Sequence, residues 1–251
     1  FYTRLLQDER LTRERAANMR LFISGSAPLL VDTHEQWETR TGHRILERYG
    51  MTETNMSTSN PYEGERRAGT VGFPLPGVEA RIRDKGQEVA QGETGVLEVR
   101  GANVFQGYWQ MPEKTAEELL PDGWFITGDL ARQDAEGYIT IVGREKDLVI
   151  TGGFNVYPKE IESLIDDLPG VLESAVIGVP HPDFGEAVVA IVVPQAEGTS
   201  PEAVKAALAD QLAKFKQPKQ VILVKELPRN TMGKVQKKAL RESYSGLFPR
   251  S

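Results

Sequence analysis

A chain of 251 residues, 39% apolar and 26% charged, is long enough for one large domain or two unequal ones and has the composition of a soluble globular protein. Its formal charge of -6 argues against a dedicated nucleic-acid binder, and the lack of cysteine excludes disulfides and thiolate chemistry, which fits a reducing, cytoplasmic setting. No apolar run approaches the roughly 18 residues of a membrane span, no signal-peptide pattern opens the chain, and His34, His43 and His181 show no metal-ligand spacing.

The opening residues, Phe1-Tyr2-Thr3-Arg4-Leu5-Leu6, read as the middle of a helix without an N-terminal cap, so a start partway through a longer protein is expected. "MRLFISGSAPL" then runs from an apolar strand into a Gly-Ser turn, "VDTHEQWETRTG" is predicted helical to Gly42, and "HRILERYG" returns as a strand. This alternation implies α/β layering with at least partly parallel strands. From Thr70 to Val142 the short alternating runs "GVEARIRD", "TGVLEVRG" and "GYITIVGR", punctuated by Gly, Pro and Asp-Gly, predict a β-rich subdomain.

Near Asp147 the texture changes again. "YPKEIESLIDDLPG" places Ile161, Leu164, Ile165 and Leu168 at helical spacing, with Pro158 in the first turn and Gly170 just past the end. Strands "ESAVIGVP" and "AVVAIVVP", helix "SPEAVKAALADQLAKF" and strand "QVILVKEL" complete a βαβ-like set, enough for a small α+β domain. The expected division is therefore 1-145, part of a large α/β domain with a β-rich subdomain, and 146-251, a small mobile α+β domain. Charge is split within the second part. From Asp147 to Pro201 acidic residues lead basic ones by nine to one, and from Glu202 onward basic residues lead by eleven to four. Two solvated faces, or a basic surface for an anionic partner, would explain the split.

Four stretches carry candidate chemistry: "RYGMTE" (Arg48 to Glu53), "GWFITGDLA" with Asp129 after a Thr-Gly turn, "GREKDLVITGGFNVYPKEIE", and "NTMGK" ending in Lys234. Each has an ordinary reading when taken alone. Asp129 suits a turn, Glu53 a helix N-terminus, Gly152-Gly153 a simple loop, and Lys234 a solvated surface. Four such segments in one order are harder to explain that way.

Together these segments resemble the adenylate-forming enzymes: acyl-CoA synthetases, luciferases and the adenylation domains of peptide synthetases. The stretch "RYGMTETNMSTSNPYEGERRAGTVGFPLPGVEARI" is most similar to malonyl-CoA or methylmalonyl-CoA synthetases. The resemblance implies two steps. A carboxylate attacks the α-phosphate of ATP to give an acyl-adenylate and pyrophosphate, then the thiol of coenzyme A takes the acyl group and releases AMP. It also implies roles for residues of this chain. Lys234 would be the cation that lets the two anions of the first step approach, with Gly233 letting the backbone pass close to the nucleotide. Asp129 would accept hydrogen bonds from the ribose hydroxyls, with Arg144 as companion contact. Tyr49 would pack on the adenine within the Arg48-Tyr49-Gly50-Met51 segment, Thr52 would donate to the α-phosphate, and Glu53 would hold Mg2+. Gly25, Ser26 and Ala27 match the segment lining the adenine and acyl pocket. Lys146 matches the hinge of the small domain, and Gly152 and Gly153 would line the pantetheine tunnel, leaving room for a thin substrate arm.

Malonate carries a second carboxylate that cannot be buried unpaired, and a bidentate arginine is the natural partner. "NPYEGERRAG" offers Arg66 and Arg67, and the resemblance favours Arg66. The family's Ser/Thr/Gly-rich pyrophosphate loop has no counterpart in the sequence. With the abrupt start, this implies the C-terminal half of a synthetase, inactive or nearly so without a missing N-terminal half. The competing expectations are an adenylation enzyme loading another carboxylate onto coenzyme A or a carrier-protein pantetheine, and a non-catalytic fragment that binds nucleotide or a partner.

Overall fold

The computed structural model describes residues 2-25, 29-195, 198-231 and 233-249, and the chain divides into two units, Phe1–Val142 and Gly143–Ser251. The first unit opens with α1 (Tyr2–Leu6), α2 (Arg13–Ala16) and β1 (Ile23–Ser24), followed by α3 (Val31–Thr41), β2 (Leu46–Met51), β3 (Asn55–Ser59) and β4 (Phe73–Pro74). β1 pairs parallel with β2, as the α/β alternation requires, and β3 and β4 continue the sheet antiparallel. α3 ends where the sequence predicts. Gly42 takes φ +76° and returns its N–H to Glu38 O, closing the helix with a left-handed residue. Trp37 on α3 is fully buried, edge-on to Tyr2 and Phe22 at 4.8 and 4.9 Å.

A second sheet holds β5 (Val78–Asp84), β6 (Gln87–Glu88), β7 (Gly95–Gly101), β8 (Phe125–Gln133) and β9 (Ile139–Arg144), in the order β6-β5-β7-β8-β9, with α4 (Pro112–Glu118) in the connection before β8. Alternating residues point inward to a core of Ile82, Leu97, Val99, Phe125, Ala131 and Ile139, which is the burial the period-two pattern encodes.

The second unit takes in the last two residues of β9 and then a 3-10 turn, Glu145–Asp147, β10 (Val149–Thr151), β11 (Phe154–Val156), α5 (Pro158–Asp166), β12 (Val171–His181), β13 (Gly185–Pro194), α6 (Pro201–Ala209), β14 (Gln220–Leu223) and α7 (Lys237–Ser243). β13 lies inside the sheet. β12 pairs with it antiparallel, and β14, arriving through the α6 crossover, pairs with it parallel. Both faces of β13 are covered. Val188, Ala190 and Val192 join Ile161 and Ile165 of α5 and Val204 and Leu208 of α6, while Val189, Ile191 and Val193 face Leu227 and Leu240. That is why "AVVAIVVP" is apolar without a break.

Both α5 and α6 stop earlier than their periodicity suggests. α5 ends at Asp166, and Gly170, φ +85°, serves the turn into β12. α6 ends at Ala209, where the Gln217 side chain donates to the carbonyls of Ala209 and Leu212 and Phe215 stacks on Phe154 at 4.6 Å. Part of the charge split is neutralised inside the unit, while Lys205, Lys214, Lys219, Lys225, Lys234 and Lys238 stay exposed. Lys216 pairs with Glu160 at 2.7 Å, Lys237 with Glu162 at 2.5 Å, Arg241 with Asp147 at 2.8 Å, and Arg229 with Glu173. These four pairs tie part of the basic end of the unit to its acidic beginning.

Candidate functional site

In the first unit, "RYGMTE" forms the end of β2 and the turn into β3. Arg48, Tyr49, Gly50 and Met51 lie on the strand, Thr52 is exposed at the turn, and Glu53 is half-buried beside it. The hairpin is tight enough to exclude a side chain at Gly50, where a Cβ would fall 1.9 Å from Asn55 O. Glu53 is thus a hairpin-turn residue, not a helix N-terminus. Gly25 lies beside this strand, its would-be Cβ 3.3 Å from Arg48 Cγ, whereas Ser26 and Ala27 lie outside the described residues.

Asp129 arrives from β8. The Thr-Gly before it is not the turn its sequence suggests but a bulge within the strand. The register shifts between Val96 and Glu98 on β7, and Gly128 takes φ +67°. Thr127 closes the bulge, its hydroxyl donating to Leu97 O at 2.7 Å and accepting from the Asp129 N–H at 3.0 Å. The bulge brings the buried Asp129 carboxylate to Tyr49, whose hydroxyl donates to Asp129 Oδ2 at 2.5 Å. Residues 80 apart in sequence therefore share one polar site.

Glu53 has a partner that the sequence does not advertise. Tyr108 OH lies 3.0 Å from Glu53 Oε1 and 2.6 Å from Glu118 Oε2, and Lys114 Nζ donates to Glu118 Oε1 at 2.5 Å. Burial pushes the Tyr108 phenol up, and both carboxylates push it further, so it is a firm donor. Burial raises Glu118, but Lys114 and Tyr108 outweigh it and hold its carboxyl below the ordinary value. Glu53 Oε2 has no partner among the described residues. No group of three or more His, Cys, Asp or Glu that could hold a metal ion gathers among those residues, so a cation at Glu53 would need other oxygen ligands besides its carboxylate.

Arg66 spends three N–H groups on the chain itself. Nε donates to Pro61 O at 3.1 Å, Nη1 to Arg44 O at 2.9 Å and Nη2 to Tyr62 O at 2.6 Å, fastening the loop that follows β3. Arg67 points elsewhere, to Glu65, Asp134 and Glu136, and lies over the Tyr138 ring at 4.2 Å. Below the loop a buried pair, His34 Nδ1 to Glu47 Oε1 at 3.0 Å, braces α3 against β2.

In the second unit, Arg144 closes β9 and Lys146 is exposed within the 3-10 turn. Gly152 and Gly153, φ +56° and +83°, are the two central residues of the β10–β11 hairpin, with Thr151 and Phe154 paired across it. Two consecutive positive φ angles define a type I′ turn, so the turn alone explains both glycines. Lys234 sits just after another turn. Two hydrogen bonds join Asn230 and Lys234: the Asn230 side-chain Oδ1 accepts from Lys234 N and Lys234 O accepts from Asn230 N, both at 2.9 Å. Gly233, φ +80°, makes this turn, and a Cβ there would meet nothing within 4 Å. The left-handed backbone by itself favours glycine at this position. The Lys234 side chain is exposed and has no partner among the described residues.

Comparison with known proteins shows the family. The AMP-binding enzyme family matches residues 1-109, and its C-terminal domain matches residues 160-234. A long-chain-fatty-acid–CoA ligase of Yersinia pestis is 41% identical over 96% of this chain, covering 43% of that relative. A malonate–CoA ligase of Arabidopsis thaliana is 42% identical, again over 96% of the chain and 43% of the relative. The crystal structure of ATP-bound MatB from Rhodopseudomonas palustris is 63% identical, with a TM-score of 0.94, over 98% of this chain and 50% of that one. The chain spans about half the length of the relatives it matches. No helix among its described residues is long and apolar enough to cross a membrane.

Proposed function

The chain belongs to the AMP-binding, adenylate-forming enzyme family, and from that premise we propose that it is part of an ATP-dependent acid–CoA ligase acting on malonate. The observation that carries the nucleotide half of this reading is the Tyr49–Asp129 pair beside the Thr52-Glu53 turn. A ring suited to pack on adenine is bonded to a carboxylate suited to accept from ribose hydroxyls. Arg144 is the companion contact to the nucleotide. Thr52, exposed at the turn, donates to the α-phosphate. Glu53 suits Mg2+, because its Oε1 is steadied by Tyr108 and its Oε2 is available as a hard oxygen ligand. When bound, the ion neutralises phosphate charge.

Lys234 supplies the positive charge that lets carboxylate and α-phosphate approach. Its exposure on a tight turn, with Asn230 fixing the backbone, leaves the ammonium to serve a ligand. Thioester formation then needs different groups at the same carbon, a change assigned to rotation about Lys146, with Gly152 and Gly153 bordering the path of coenzyme A.

The acid is the finer question. Relatives named for malonate and for long-chain fatty acids are 42% and 41% identical, so overall similarity does not separate them. Arg66 supports malonate. Of its five N–H groups three hold the loop, which leaves two for a second carboxylate. A longer-chain acid is the second reading, favoured by the Yersinia relative.

One experiment tests both. The complete protein is given ATP, Mg2+ and malonate, methylmalonate, acetate or a long-chain fatty acid, and pyrophosphate release is followed with and without coenzyme A. Malonate-dependent release, with thioester only when coenzyme A is present, is expected. Release driven by the fatty acid alone transfers the proposal to that class, and release with none of the acids ends it.

A further inference from the structure

The polypeptide at the junction is anchored on both sides. Upstream, β9 holds the chain in its sheet through Arg144. Downstream, Arg241 Nη1 donates to Asp147 Oδ1 at 2.8 Å, β10 pairs with β11, and the Ile150 N–H donates to Glu186 Oε2 at 2.8 Å. Only Glu145 and Lys146, both exposed, lie between the two anchors. Arg241 belongs to the last turn of α7, and its side chain is 30% exposed against 16% for Asp147. A pair so far withdrawn from water is screened less than a surface ion pair. α7 starts at Lys237, shortly after Lys234, and Lys237 is itself fixed to Glu162 at 2.5 Å.

We propose that Arg241 is a positioning residue for the change between half-reactions. By pinning Asp147 to α7 it makes the second unit, the Lys234 turn included, one rigid body that begins at Asp147. The rotation is thereby confined to the backbone of Glu145 and Lys146. With the pin in place, a few dihedrals absorb the whole change, so each working orientation is narrowly defined. Without it, Asp147 and Leu148 join the pivot and add conformers that neither half-reaction uses. The inference rests on the two-step reaction proposed above.

Arg241→Gln in the complete protein is the test, since the Lys237–Glu162 pair still holds the start of α7. Single-turnover adenylate formation should stay within about twofold of the parent, while steady-state thioester production falls about tenfold with KM for ATP unchanged. Amide exchange at residues 148-151 should accelerate about tenfold while that of β12 and β13 does not change. Arg241→Lys, which keeps a cation, should remain within about threefold of the parent in thioester production. Faster exchange at 148-151 with undiminished thioester production overturns the proposal. So does a parallel fall in both half-reactions with exchange rising across the whole unit, the mark of a purely structural role. A parent protein that forms no adenylate with any acid sinks the ligase reading instead, and that failure is visible before any variant is made.

Discussion

Tyr49 and Asp129 meet through a 2.5 Å hydrogen bond from the phenol to Oδ2, one residue carried by a hairpin strand and the other by a bulge in a different sheet. Neither side chain can be altered without disturbing the other. Tyr49→Phe keeps the ring and removes only the donor. The buried carboxylate then loses one of its hydrogen bonds, a loss of about 1–3 kcal/mol for such a group. AMP affinity of the complete protein, measured by calorimetry, should fall several-fold. Unchanged affinity would show that the ring acts independently of the carboxylate.

Gly128 creates the bulge that aims Asp129. Its φ of +67° is the constraint, because a Cβ there would meet nothing within 4 Å. Gly128→Ala should cost about 1–2 kcal/mol through the left-handed backbone alone. Gly128→Asn should cost less, since asparagine tolerates that region. Thermal melting of the two variants checks the order, and AMP affinity should follow it.

Lys234→Ala removes a charge that no described residue of the chain uses. Folding stability should therefore be nearly unchanged. Adenylate formation, read as pyrophosphate release, should drop by about a hundredfold or more. Thioester formation from supplied acyl-adenylate should suffer far less. Equal losses in the two half-reactions would remove the lysine from its assigned step.

Asp166, near the end of α5, has its carboxyl pushed up to about 6, chiefly by burial, with Glu162 adding and the Ser174 hydroxyl and Lys159 opposing. The folded state thus holds this proton more tightly than the unfolded chain. The associated stability is fully present below the ordinary value of 3.8 and is lost as pH rises through about 6. Asp166→Asn should melt close to the parent at pH 4 and above it at pH 7, by roughly 2 kcal/mol in stability. Melting curves at the two pH values decide, and a parent that gains on the variant as pH rises contradicts the assignment.

Local signals were legible wherever one segment contained its own explanation. The α3 helix and its Gly42 stop, the alternating strands of the β-rich sheet and the apolar run of β13 follow from periodicity and turn residues. Signals failed where a distant partner decides. Thr127-Gly128 reads as a turn because Leu97, which receives the Thr127 hydroxyl, lies 30 residues away. α6 reads six residues too long because Gln217 and Phe154 cut it short through contacts outside its own pattern. Tyr108 gave no hint of its place beside Glu53, 55 residues upstream, since a tyrosine in a Gly-Tyr-Trp run has no distinctive spacing. In the sequence Arg66 is legible as a bidentate cation favoured by the family resemblance, but not as a loop fastener. Its three backbone carbonyls became visible only once the loop had a shape.

The order of charges along the second unit bears on its synthesis. Glu162, only 7% exposed, emerges from the ribosome 75 residues before Lys237, and Asp147 emerges 94 before Arg241. Until the last helix is made, the nascent sheet carries carboxylates that it can bury only at a cost of several kcal/mol. Closure of this unit therefore waits for α7, and a truncation placed before Lys237 removes the cation that Glu162 requires as well as the residues that follow.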